Sequence, residues 1–151
     1  MKVTRLFNSE YEIRLRILLL LYRASKPISA DKITAIDFII IYAKEFGMCE
    51  SNLHGSSPYR FAEITARRTL VNQSIKTNVC DGMIAVDVSD GYSYSLTELG
   101  RKYVESFKCS YVATYLENAK VVVYEYETVA ENVLMKMIQD YCYESLGGEV
   151  E

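Results

Sequence analysis

The sequence predicts a mainly α fold, a winged helix-turn-helix with a two-stranded wing and additional N- and C-terminal helices, and three stretches predict it. Tyr59 to Cys80 reads as one long helix, Asp90-Gly91 closes a two-strand hairpin, and Leu96-Thr97-Glu98-Leu99-Gly100 opens a further helix. Helix, hairpin, helix is the order of a winged helix, with the hairpin as the wing. Modules of this kind bind either DNA or other proteins, so the functional question is which of the two applies.

At 151 residues, half of them apolar and a quarter charged, the chain suits one globular domain whose core needs no disulfide or metal staples. The longest apolar runs, Ile17 to Tyr22 and Phe38 to Ala43, fall far short of the roughly 20 residues that span a bilayer. The N-terminus lacks the apolar stretch of a signal peptide, and the four cysteines, at 49, 80, 109 and 142, form no C-x-x-C pair. Reduced thiols in a cytoplasmic protein are the simplest reading. Net charge is −3 and unevenly spread: residues 1–57 carry eight Lys/Arg against six Asp/Glu, 58–108 seven against six, and 109–151 two against eight. A pI near 5.3 weakens the picture of a protein that holds DNA unaided, because phosphate neutralisation supplies most non-specific affinity.

In chain order, Ser9-Glu10-Tyr11-Glu12 fits a capping box that starts a helix at Glu10, and Ser25-Lys26-Pro27 stops it after about Ala24. Ile13, Ile17, Leu20 and Leu21 form its stripe, and Leu15, Leu18 and Leu19 widen it until the helix reads as central and buried. Ser29 caps a second helix, Ala30 to about Phe46, with Asp31 in its first turn and Gly47 as the stop. Residues 47–58 form a loop holding the only histidine, His54, five positions after Cys49. That pair is incomplete as a metal site and reads as a solvated loop, and a lone histidine offers little for Ser-His or Cys-His chemistry.

On the third helix Phe61, Ile64, Val71, Ile75 and Val79 share a face at 100° per residue, with Arg68 in its middle and Arg67 toward the flank near Arg60. A guanidinium inside an apolar stripe must snorkel, find a carboxylate or meet a partner. Ile84, Val86 and Val88, then Tyr92, Tyr94 and Leu96, alternate with smaller or polar residues, and Asp90-Gly91 supplies the positive φ angles of a two-residue turn. Thr97 caps the next helix, whose Leu99, Tyr103, Val104 and Phe107 make one apolar face and leave Arg101 and Lys102 at the surface. A helical stripe resumes from Val112 to Tyr126, and a second set, Val129 to Tyr141, continues it or follows a break near Thr128; Gly147-Gly148 and the end read as frayed. Six of the thirteen tyrosines lie between Tyr111 and Tyr143, a density that suits either packing on the domain or a docked partner.

The expected organisation is therefore residues 1–108 as a winged-helix core and 109–151 as an acidic, tyrosine-rich helical segment, either of the same domain or a partner-docking extension. No phosphate-cradling glycine loop, metal-ligand cluster or catalytic constellation is present in the sequence, so no catalytic residue, cofactor or metal is expected and the chain reads as a binding or assembly protein. Arg60, Arg67, Arg68, Lys76, Arg101 and Lys102 are the candidate partner or DNA contacts; Phe7, Tyr115, Tyr126 and Tyr141 are the candidate partner-docking residues. Two readings stay open: a stand-alone DNA-binding transcription regulator, and a non-catalytic subunit that uses the fold as a protein-interaction surface.

Leu6-Phe7-Asn8-Ser9 with Glu12-Ile13 resembles the opening motif of the middle-component proteins of bacterial three-component ABC ATPase conflict systems, the group that includes Lamassu-type defence. Tyr59-Arg60 leading to Ala66-Arg67-Arg68 resembles their helix before the wing, and Asp81-Gly82-Met83-Ile84 through Leu96-Thr97 resembles the two ends of their wing, so that the likeness covers roughly Leu6 to Tyr126. It implies a small accessory subunit beside an SMC- or Rad50-like ATPase and a separate effector, often a nuclease, acting against phage or plasmid DNA. ATP hydrolysis and cleavage would then belong to the partners. The family's loop between the second and third helices is often richer in proline than the one here, which has only Pro58.

Overall fold

The computed structural model describes residues 9–44, 46–49 and 60–150, and within these the side chains of all but 60–65, 142 and 144–150. Phe7, His54 and most of the 47–58 loop lie outside the described residues, as does the side chain of Arg60. The chain is mainly helical, with one small antiparallel two-stranded sheet: α1 (Glu10–Arg23), α2 (Ala30–Ile41), α3 (Arg60–Cys80), β1 (Ile84–Asp87), β2 (Ser93–Leu96), α4 (Glu98–Glu105), α5 (Ser110–Tyr126) and α6 (Glu131–Val150).

Local chemistry sets the helix starts. The hydroxyl oxygens of Ser9, Ser29 and Thr97 accept from the backbone N–H of Glu12, Lys32 and Gly100, at 3.1, 3.3 and 3.0 Å, so each cap named from sequence is occupied. The predicted central helix is central: Ile13, Leu15 and the whole run from Arg16 to Leu21 are buried, and α1 packs chiefly against α3 and α5. Helix α2 ends at Ile41 rather than near Phe46. Tyr42 leaves helical geometry (φ −109°, ψ 39°), and the Ala43 carbonyl then accepts from both Met48 and Cys49 N–H, at 2.9 and 3.3 Å, in a turn that positive-φ Gly47 permits.

Helix α3 stops in a Schellman motif: Met83 N–H donates to Asn78 O (2.9 Å), Gly82 N–H to Val79 O (3.0 Å), and Gly82 takes φ 78°. The hairpin forms, with Ile84 opposite Leu96 and Asp87 opposite Ser93, but its connection is longer than the expected two residues. Gly91 alone has positive φ, Asp90 does not, and residues 88–92 make a five-residue loop steadied by Asp87 Oδ1, which accepts from Ser89 N–H (2.9 Å) and Oγ (2.7 Å). Ile28, in the α1–α2 connection, adds a single bridge to the far side of β2, exchanging both backbone bonds with Tyr94 at 2.9 and 2.8 Å.

Helix α4 buries Gly100 and Val104, with Tyr103 edge-on to Phe107 at 5.1 Å; Leu99, expected on that face, is 53% exposed. A Cβ at Gly100 would lie 2.4 Å from Met83 O and 2.7 Å from Leu96 Cδ1, so the helix sits against the hairpin at a separation that only glycine allows. Of the two alternatives left open by the sequence, one continuous helix or a break near Thr128, the structure has the break, as the turn between α5 and α6, and α6 continues through Gly147-Gly148 to Val150 where the sequence suggested fraying. Val112, Tyr115, Ala119, Val122 and Val123 of α5 and Leu134 and Ile138 of α6 join α1 and α2 in one continuous core.

Candidate functional site

The most concentrated chemistry among the described residues lies inside the core. Asp37, on α2 between Ile36 and Phe38, is fully enclosed and accepts four hydrogen bonds. Its Oδ1 accepts from Arg16 Nε (3.2 Å) and from the Tyr115 hydroxyl (2.7 Å); its Oδ2 accepts from the second arm of Arg16 (3.2 Å) and from Arg67 (3.1 Å). Arg16 thus grips the carboxylate with a two-pronged fork, the geometry that makes arginine pairs strong. Glu12, 3.9 Å from Arg16, supplies a second carboxylate.

Burial by itself would raise the Asp37 pKa; the guanidinium of Arg16 foremost, then Arg67 and the bonds from Tyr115 and Arg16, reverse this and hold it at about 2. Burial pulls Arg16 toward neutrality, but Asp37 overrides it and keeps the guanidinium above its ordinary pKa. The Tyr115 phenol is pushed well up by burial and by the anionic Asp37 beside it. Burial likewise raises Glu12, against the opposing pull of Tyr111 and Arg16. With Arg16, Asp37, Arg67 and Tyr115 all at 2% exposure or less, the cluster is closed to any substrate, and what it does is join α1, α2, α3 and α5 at one point.

This overturns the expected placement on α3. Arg67, not Arg68, points into the core; Arg68 is about half-exposed and pairs with Asp31 on α2 at 3.2 Å. The buried side of α3 carries Arg67, Val71, Ser74, Ile75 and Asn78, three of them polar, so a face drawn through apolar residues alone is swung round the helix toward Arg68. Arg16 and Asp37 were not singled out from sequence. One signal was present: charges of opposite sign stand within the apolar runs of three successive helices, and each is too expensive to bury without the others.

The remaining basic candidates are on the surface. Lys76 is exposed on α3 and Lys102 on α4, and Arg101 is held over the Tyr22 ring at 5.1 Å, with Arg23 on the same ring at 5.7 Å. Of the tyrosines named as docking residues, Tyr115 is fully buried on Asp37, while Tyr126 is half-buried and Tyr141 packs its ring 4.6 Å from that of Phe46. Among the described residues the exposed aromatics are Tyr124, Tyr143, Tyr92 and Tyr11, at 82%, 77%, 70% and 52%.

Two further features complete the surface. Glu127, at the α5–α6 turn, accepts from Ser25 N–H (2.9 Å) and Ser25 Oγ (2.8 Å); Lys32 donates to the Glu127 carbonyl and Ser29 to Glu131. The turn is thereby clamped to the α1–α2 connection. A cleft of about 100 Å³ lies between α1, the end of α3 and α4, lined by Tyr11, Arg14, Asn78, Asp81, Met83 and Tyr103 among others. Arg14 stands 3.8 Å from Asp81 there. The cleft has room for one side chain and not for a nucleotide. No group of three potential metal ligands occurs among the described residues, Cys49, Cys80 and Cys109 are free thiols, and no helix among those residues is long and apolar enough to cross a membrane.

A family model described as ABC-three component (ABC-3C) system Middle Component 2 matches residues 6–147. No curated protein and no solved structure matches the chain.

Proposed function

The chain belongs to the Middle Component 2 family of ABC-three component systems, and from that premise we propose that it is a non-catalytic accessory subunit that bridges an SMC- or Rad50-like ABC ATPase and an effector, often a nuclease, in cytoplasmic defence of the Lamassu type against phage or plasmid DNA. The observation that carries the reading is the family match across residues 6–147. A middle component implies other components, and in this reading ATP hydrolysis and cleavage reside in them.

The helix, hairpin and helix act here as a winged helix turned to protein contact. The order α1, Ile28 bridge, α2, α3, β1, β2 supports that fold, because it places a short edge contact between the first two helices and the wing strands after the third. Contact with protein rather than DNA is supported by the charge. Arg67, the first of the two adjacent arginines on α3, is turned inward onto Asp37, Arg68 is paired with Asp31, and the wing carries Asp87 and Asp90 with no Lys or Arg. These features weigh against a stand-alone transcription regulator, which needs cations to neutralise phosphates.

Co-expression with the ABC ATPase and effector encoded by neighbouring genes tests the reading. A tagged chain is expected to retain both partners through affinity and size-exclusion steps. A chain that elutes alone defeats it, and salt-sensitive operator binding by the isolated protein at about 10⁻⁸ M would favour the regulator instead.

A further inference from the structure

Among the described residues the hairpin has one unpaired edge, the outer side of β1, and the register states what that edge offers. Tyr94 exchanges both backbone bonds with Ile28, so its N–H and C=O point away from β1. In an antiparallel ladder, bonded and non-bonded pairs alternate, so Val86, opposite Tyr94, belongs to a non-bonded pair and aims its own N–H and C=O outward. Ile84, two residues back, has the same orientation but is buried, at 3% exposure, so the accessible part of the edge begins at Val86. The Thr97 N–H to Met83 O bond, at 3.0 Å, confirms the alternation at the root of the hairpin. Among the described residues, nothing pairs with this outer edge.

The surroundings of the edge are apolar and acidic. Val86, Val88 and Tyr92 are exposed at 42%, 66% and 70%. From Thr77 to Gly100 there is no Lys or Arg, while Asp81, Asp87, Asp90 and Glu98 are all exposed. Asp81 has Arg14 at 3.8 Å; the other three form no salt bridge among the described residues. Exposed edge strands elsewhere are guarded by lysine, proline or a covering loop, because an unguarded edge templates another strand. Here the hairpin's own charges, Asp87 and Asp90, are both negative, which repels a second copy of the same hairpin and repels nucleic acid.

We propose that the outer edge of β1 is a strand-addition site for an extended, lysine- or arginine-bearing segment of another component of the system. The segment's backbone pairs with Val86, the accessible rung of β1, its apolar residues cover Val86, Val88 and Tyr92, and its cations meet Asp87 and Asp90. Such a mode takes affinity from main-chain bonds and selects its partner by charge. The inference rests on the accessory-subunit reading and names the contact through which it operates.

Val86→Pro is the direct test, because it removes an outward N–H that no bond within the hairpin uses. Tagged wild-type and variant chains are co-expressed with the ATPase and effector components. The variant is expected to lose about tenfold in retention of one component with an unchanged melting temperature, and the exposed Val86 amide is expected to exchange slowly only in the wild-type complex. If Val86→Pro lowers the melting temperature, the pair Asp90→Lys with Tyr92→Ser, both on the surface, decides by the same retention assay. Equal retention by variants and wild type, with a fast-exchanging Val86 amide in the wild-type complex, overturns strand addition while leaving the accessory-subunit reading standing. A wild-type chain that retains neither component overturns both. A Val86-dependent dimer of the chain by itself, or Val86-dependent binding of duplex DNA, overturns it in favour of those occupants.

Discussion

Asp37 is the residue on which most of the molecule converges, and its chemistry makes the sharpest mutational contrast. Asp37→Ala takes from the buried Arg16 and Arg67 the carboxylate they share, and a loss of about 3–5 kcal/mol in a denaturant melt is expected. Arg68→Ala removes an exposed pair with Asp31 and is expected to change stability by about 0.5 kcal/mol or less. The reverse ranking would return Arg68 to the core. Acid titration adds a second signature. The folded-state pKa of Asp37 is depressed from 3.8 to about 2, so the stability it contributes is complete above the unfolded value and is lost as pH falls from about 4 to about 2. Glu12 has the opposite sign: its raised pKa penalises the folded state while it is ionised, so stability recovers slightly as pH drops toward its unfolded value of 4.5. A melting temperature followed from pH 7 to pH 2 is expected to hold or rise gently and then fall steeply, with Glu12→Gln removing only the rise.

At the scale of elements, the capping chemistry was legible and the close approaches were not. Ser9, Ser29 and Thr97 cap where the sequence said they would, because an N-cap needs only the residues within one turn of it. Thr97 does more than cap: its hydroxyl also donates to Gly82 O at 2.6 Å, joining α4 to the end of α3. Thr97→Ala is expected to cost about 1–2 kcal/mol in a thermal melt. Gly100→Ala is expected to lose about 1–3 kcal/mol by overpacking against the Met83 carbonyl, although alanine is the better helix former at an open site. A melting temperature equal to wild type would show that α4 can slide away from the hairpin. Ile28 escaped notice because a single bridging residue between Pro27 and Ser29 makes no periodic pattern, and the early end of α2 escaped it because its apolar run continues past Ile41 into Tyr42 and Ala43.

At the scale of the molecule, α5 and α6 decide how far the chain can be divided. Tyr115 donates to Asp37, Glu127 holds Ser25, and Val112, Val122, Val123 and Leu134 fill the core beside α1 and α2. A chain ended after Lys108 is expected to show no cooperative unfolding transition by circular dichroism, because it exposes that apolar surface and strips a hydroxyl from a buried carboxylate. A cooperative melt of residues 1–108 would instead make the C-terminal helices a removable extension. The segment from 109 onward carries two Lys/Arg against eight Asp/Glu, and of the acidic side chains described there Glu117, Glu125, Glu131 and Asp140 are exposed while Glu127 is buried against Ser25.

The sequence by itself determined what depends on near neighbours: the helix starts, the hairpin, the buried character of α1, and the membership of the middle-component family that its opening motif suggested. The first three follow from capping, alternation and hydrophobic run, each read within about a dozen residues, whereas the membership rests on the family match over residues 6–147. Tertiary structure alone decided which arginine of α3 is internal, which tyrosines face inward, and which edge of the hairpin is free. The reason is that a polar residue's burial depends on whether an acceptor waits on another helix. Asp37 lies 21 residues from Arg16, 30 from Arg67 and 78 from Tyr115, and no local pattern links positions so far apart until the fold brings them to one carboxylate.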